Sequence, residues 1–263
     1  MLLFSSGPQI DTPLYGTLFV CGTMLISILG LAIVRRFVDL DWLKRHLDIA
    51  SYFFLMIGTL YAVLIAFAIY VVWTQFQDAG ANLEHEVNAV ADLSRMAAGL
   101  PEPQHTMIRN ALLDYVHAVI EDEFPAMAEG RESPRTWEAI QKLMDVYSNG
   151  SVSSAKEQVY MGESLKHLND LANYRRIRLF TSRGTVPPLL WYLLFGGGAV
   201  LIAFTYFFGH ESIVWQAAMT AALTATLSFS LYLIVAYNGP YDGTTRISPA
   251  PYELELQHIQ ARR

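Results

Sequence analysis

The stretch SYFFLMIGTLYAVLIAFAIYVVWTQF, residues 51–76, decides the fold. It belongs to an uncharged run from Ile49 to Trp73. A helix rises 1.5 Å per residue and needs about 20 apolar residues to cross roughly 30 Å of hydrocarbon. The run therefore predicts a membrane span. Working outward, three more runs carry no Asp, Glu, Lys or Arg: Leu14–Val34, Val186–Gly209 and Ser212–Tyr237, with Glu211 alone between the last two. Only 16% of the 263 residues are charged, against about a quarter in soluble domains, and the deficit sits in these four runs. Residues 74–185 carry 16 acidic and 11 basic side chains, an ordinary soluble density. The pattern predicts an all-α, four-span membrane protein. It divides into an N-terminal segment (1–13), a membrane pair (spans 14–34 and 49–73), an extramembrane helical domain (74–185), a second pair (186–209 and 212–237) and a C-terminal tail (238–263).

Several classes fall away. A net charge of −6 leaves no basic footprint for nucleic acid. Cys21, the lone cysteine, lies inside the first run, which excludes a disulfide framework and a cysteine-ligated metal site. No Lys or Arg precedes Arg35, so the first run lacks the basic start of a secretory signal and is expected to remain as a span. The spans contain no ionisable Asp, Glu, Lys, Arg or His, which argues against proton-coupled transport, pumping and voltage sensing. HExxH and G-x-S-x-G motifs are absent, and nothing asks for a catalytic site, a cofactor or a metal.

Between the spans the pattern is helical. Asp11-Thr12-Pro13 reads as the start of the first span, and 35–50 as an amphipathic interfacial link anchored by Trp42 and its basic residues. The second span continues into water until Gly99-Leu100-Pro101 stops it. Ile108, Leu112, Tyr115, Val116 and Val119 mark one face of the next helix, which Pro125 kinks or ends. Ser133-Pro134 opens a third helix with Trp137, Ile140, Met144 and Tyr147 as its apolar stripe. After the loop at Ser148–Ser151, a last long helix carries Met161, Leu165, Leu168 and Ala172, then Arg175, Arg176, Arg178 and Arg183. Basic residues near the membrane are nearly balanced between the two sides, so charge alone does not orient the chain.

Candidate functional residues lie mostly on the spans. Gly58, Ala62 and Ala66 recur at i, i+4 and i+8, a small-residue stripe that admits close helix approach, either to a neighbouring span or around a pore. Tyr61, Ile65 and Val72 lie on another face, and Leu60, Leu64, Phe67 and Val71 on a third. In the fourth span Gln216, Thr220, Thr224 and Ser228 share a polar face, suited to interhelical bonding or to the wall of a conduction path. Asp78, Glu84 and Glu86 follow the second span, and Glu121-Asp122-Glu123 ends a helix. Both groups read as solvated faces, able to attract cations if an oligomer arranges them in rings.

The run Gly58-x-x-Tyr61-Ala62-Val63-Leu64-x-Ala66-Phe67, with Val72-Trp73 and Phe76, resembles the signature of the bacterial bestrophin-like four-span family. Further matches are Glu86, Ala91-Asp92-Leu93-x-Arg95, Gly99-Leu100-Pro101, Tyr115, Val119 and Glu123-Phe124-Pro125-x-Met127. Leu168-Asn169-x-Leu171-Ala172, Pro188-Leu189-Leu190-Trp191, Phe204-Thr205-Tyr206-x-Phe208-Gly209, Pro240-Tyr241-x-Gly243 and Ile247-Ser248-Pro249 complete a likeness over residues 50–252. The resemblance implies kinship with bestrophins, pentameric ion channels whose second spans line the pore. It implies a homo-oligomer in the bacterial inner membrane, permeated by inorganic ions, with the helical domain in the cytoplasm. Gly58, Tyr61, Ala62, Ile65, Ala66, Phe67, Trp73 and Phe76 become the pore-lining or helix-packing candidates. The acidic run of the animal channels' calcium clasp has no counterpart; only Asp242, Glu253 and Glu255 lie nearby. The alternative is a non-conducting scaffold or sensor whose helical domain binds a partner.

Overall fold

A computed structural model describes residues 13–150, 153–184 and 186–261. Asp11, Thr12, Ser151 and Thr185, which the sequence reading placed at helix and domain boundaries, lie outside the described residues. Ten α-helices follow one another among them. They are α1 (Pro13–Phe37), α2 (Leu40–Arg45), α3 (Leu47–Ala97), α4 (Gln104–Ala118), α5 (Phe124–Ala128), α6 (Pro134–Ser148), α7 (Ala155–Thr181), α8 (Pro188–Thr205), α9 (Ile213–Asn238) and α10 (Ala250–Ala261). A single π turn, Val119–Glu123, joins α4 to α5. Helices α1, α3, α8 and α9 are long and apolar enough to cross a membrane. The chain forms two compact units, one of residues 13–74 and 186–238, the other of 75–184 and 239–261.

In the first unit α1 lies along α9, and α9 also packs on α8. Close approach is possible because glycines face rings. A Cβ on Gly16 would lie 2.6 Å from the Tyr232 ring, and one on Gly30 2.5 Å from the Tyr206 hydroxyl. Asp39 caps α2, accepting from the Asp41 N–H. The α8–α9 turn meets this short helix: a Cβ on Gly209 would stand 2.7 Å from that of Leu43, and Lys44 bonds Glu211 at 2.9 Å. Glu211's carboxyl is held below the usual range, chiefly by its bond from Lys44.

The second unit is a helical bundle around one apolar core. Ile108, Leu112, Tyr115, Val116 and Val119 are all fully buried, as the 3.6-residue spacing predicts. Two stripes are rotated from expectation. On α6 the inward face is Thr136, Ile140, Leu143 and Tyr147, while Trp137 turns outward and is 55% exposed. On α7 it is Met161, Ser164, Leu168, Leu171, Arg175 and Arg178, with Leu165 exposed. Arginines occupy core positions there because buried carboxylates face them, so hydrophobicity alone misplaces the stripe. Pro125 does not end the chain's helical course. The π turn just before it loosens the ladder where the proline lacks an N–H, and α5 continues. Ser154 and Glu157 form a capping box that starts α7. The segment read as a tail contains α10, whose Tyr252 and Ile259 are fully buried and which packs on α4.

Candidate functional site

Two faces of α3's apolar half differ sharply. Tyr61, Ile65, Ala68 and Val72 are buried within the chain. Gly197 leaves room for Tyr61: a Cβ there would lie 2.5 Å from its ring. The phenol donates to the Leu194 carbonyl of α8, tying the two spans together. Ala62, Ala66, Phe67 and Trp73 are exposed on the isolated chain, and Gly58 and Phe76 are half-buried. Gly58 contributes to the α8 contact, with a Cβ position 3.7 Å from Leu201. Trp73 keeps one edge contact, 5.1 Å from the Tyr237 ring. Thus the eight candidates divide: Tyr61 and Ile65 pack internally, while Ala62, Ala66 and Phe67 face away from the chain's own helices.

The polar face of α9 points into the bundle. Gln216, Thr220, Thr224 and Ser228 are each buried. Gln216 donates to the Thr205 carbonyl at 3.3 Å, and Thr220 meets the Thr205 hydroxyl at 3.1 Å. Thr224 bonds back to the Thr220 carbonyl at 2.8 Å, and Ser228 shares a 2.7 Å bond with Thr23 of α1. These hydroxyls find partners on their own or adjacent helices, as polar groups inside a membrane must.

The acidic candidates also separate. Asp78 and Glu84 are exposed, whereas Glu86 is fully buried and so is Glu123. Between them lies Arg178, buried without residual exposure. Its Nε and Nη2 donate to Glu86 at 2.6 and 2.9 Å, and Nη2 also reaches Glu123 at 2.6 Å. Arg175 donates through Nε and Nη2 to the same Glu123. Tyr115 adds a 2.9 Å bond to Glu86, and Arg178 stands 5.5 Å from the centre of the Phe124 ring. Two carboxylates thus balance two guanidiniums inside the bundle. Burial opposes the Arg178 charge, but Glu86 and Glu123 override it and hold its pKa well above the ordinary value. Burial and then the Glu86 charge push the Tyr115 and Tyr252 phenols well up. The reading of Glu86 and Glu123 as solvated carboxylates is therefore corrected. Each is enclosed because an arginine from α7 neutralises it.

The sequence reading overlooked this cluster, although Glu86, Tyr115, Glu123, Phe124 and Met127 all carried the family likeness. Charged and aromatic matches scattered over three helices are the signal that would have found it. No group of three His, Cys, Asp or Glu side chains able to hold a metal occurs among the described residues.

Four apolar helices, with a helical bundle inserted between the second and third, define a polytopic membrane protein with a sizeable extramembrane unit. A family model of the Bestrophin-like domain matches residues 21–252, and the chain belongs to that family. No curated protein matches it. Among solved structures, an isoleucine-to-threonine variant of a bacterial bestrophin homologue from Klebsiella pneumoniae is 13% identical, with a TM-score of 0.65 over 92% of this chain and 99% of that one. The same homologue, phased on zinc, is 15% identical with a TM-score of 0.64, covering 91% and 97%. A membrane protein carrying a proline-to-alanine change gives 14% identity and a TM-score of 0.67, also covering 91% and 97%. At these identities the likeness is one of fold.

Proposed function

We propose that this chain is one subunit of a homo-oligomeric, five-copy ion channel in the bacterial inner membrane, with the second spans surrounding the pore and the helical unit in the cytoplasm. The observation that carries the reading is the uncovered face of α3. Ala62, Ala66 and Phe67 are exposed on a helix whose opposite side, at Tyr61, Ile65 and Val72, is locked to the chain's own spans. A small-residue face left open in this way suits close packing around a central axis. Family membership and the fold shared with the Klebsiella bestrophin homologue support the same assignment. The spans carry no Asp, Glu, Lys, Arg or His, which suits passive permeation. Exposed Asp78 and Glu84, repeated in each copy, form acidic rings that favour cations near the pore.

The test is the mass of the detergent-solubilised assembly, followed by planar-bilayer recording with ion substitution. Five copies and an ohmic, cation-preferring conductance are expected. A stable monomer or dimer overturns the channel reading and favours a non-conducting scaffold. Orientation is read separately from Ser153→Cys in a Cys21→Ser background. An impermeant thiol reagent should leave it unlabelled in intact cells, and labelling there contradicts a cytoplasmic helical unit.

A further inference from the structure

The helical unit contains a cleft of about 700 Å³ between α6 and α7 that ion conduction does not require. Ile140, Met144, Ala172 and Leu179 give it an apolar floor. Trp137 and Phe180 stand at its edge, 55% and 74% exposed. Volumes of a few hundred to a thousand Å³ with an apolar lining and a few fixed polar groups are typical of ligand sites.

The polar groups here are cationic. Arg175 is 4% exposed and is anchored from behind by Glu123, with its guanidinium 5.8 Å from the centre of the Trp137 ring. The arginine thereby sets the position of the aromatic edge. Arg176 donates to the neutral Asn173 amide oxygen at 3.0 Å. Arg183 bonds Glu132 at 3.0 Å, but both side chains are at least half exposed. An exposed pair of this kind is weak, so a phosphate exchanges with Glu132 at little cost. Arginine is also suited to phosphate through its paired donors.

A cationic rim over an apolar floor with exposed aromatic edges selects an anion that carries an apolar body. Sequence position narrows the choice, because Phe180 and Arg183 come just ahead of Pro188, where α8 begins. Aromatic and basic residues flanking a span occupy the headgroup layer of a bilayer. We propose that this cleft binds the headgroup of an anionic phospholipid, with the phosphate on Arg176 and Arg183 and the first acyl carbons against Trp137 and Phe180. The assignment rests on the chain's residence in a membrane and is independent of whether it conducts.

Trp137 is the only tryptophan in residues 75–184 and 239–263, so it reports on the cleft. The full chain is reconstituted in phosphatidylcholine vesicles containing a minority of phosphatidylglycerol, with bromine placed on the acyl chains of one lipid or the other. Subtracting the emission of Trp137→Phe isolates the Trp137 component. Brominated phosphatidylglycerol should quench that component severalfold more than brominated phosphatidylcholine. The double variant Arg176→Gln/Arg183→Gln should lower its quenching to the phosphatidylcholine level, with helicity by circular dichroism unchanged.

Equal quenching by both lipids overturns the proposal, as does selectivity that survives the double variant. Absence of quenching by either lipid also overturns it, since a second copy or another surface then covers Trp137. If millimolar glycerol phosphate abolishes the phosphatidylglycerol quenching, the cleft takes a free phosphate and the lipid assignment fails.

Discussion

Removing the central arginine of the buried cluster tests the packing logic of the helical unit. In Arg178→Met the guanidinium that bonds Glu86 at 2.6 and 2.9 Å and Glu123 at 2.6 Å is replaced by an apolar side chain. Each such charge-assisted bond is worth about 1.5–3 kcal/mol, but removal of the arginine also abolishes its own desolvation penalty. What remains is the cost of Glu86, fully buried, with neutral phenols (Tyr115, which bonds it, and Tyr252) and no other guanidinium bonded to it. Breaking a buried pair from one side costs about 3–5 kcal/mol. For a unit of this size that lowers the apparent midpoint by on the order of 10–20 °C. The assay is Trp137 emission during thermal unfolding at one fixed scan rate, because unfolding of a membrane protein is commonly irreversible. The double variant Glu86→Gln/Arg178→Met removes both charges and leaves the Glu123–Arg175 pair in place. It should recover about 1–3 kcal/mol of the loss as coupling energy. An Arg178→Met midpoint within a few degrees of the parent, or a double variant worse than the sum of the singles, refutes the account of a neutralised buried cluster.

Two further outcomes follow from local geometry. Gly197→Ala places a Cβ 2.5 Å from the Tyr61 ring, and overpacking of this kind costs about 1–3 kcal/mol; detergent-stability scans should show the loss, and Gly196→Ala, with open space around it, should not. Glu157 accepts from the Ser153 and Ser154 N–H groups, and the Ser153 bond foremost holds its carboxyl below the usual range. A depressed folded pKa gives stabilisation that is present above the unfolded pKa and lost as pH falls through the folded one. Glu157→Gln should therefore show less acid-dependent fraying of the first turn of α7 than the parent, read by pH-dependent amide exchange. An unaltered pH dependence contradicts the capping role.

The membrane half of the fold was legible because its signal is local. An uncharged run of sufficient length is visible without any partner, and the four helices long and apolar enough to cross a membrane overlie these runs. The long reach of α3 was also readable, since no proline interrupts it before Pro101. Residues whose meaning depends on distant partners were not. Arg175 and Arg178 looked like juxtamembrane charges, and Glu86 and Glu123 like solvated acids, because their pairing joins α3, the π turn and α7 across the chain. Helix α10 escaped notice because Tyr252, Glu255 and Ile259 form a short face with a carboxylate in its middle. On α3 the periodicity separated its faces but did not say which one the chain covers. The α8 glycines decide that by receiving Tyr61, which leaves Ala62 and Ala66 outward.

The central claim, that these second spans surround an ion pathway, is tested most directly by cysteine block. In a Cys21→Ser background, Ala66→Cys is recorded in planar bilayers before and after a charged, membrane-impermeant methanethiosulfonate. The account predicts that the current falls on modification and returns with a reducing agent. Conductance unaffected at Ala66 and at Ala62, with labelling of both confirmed by mass, contradicts it.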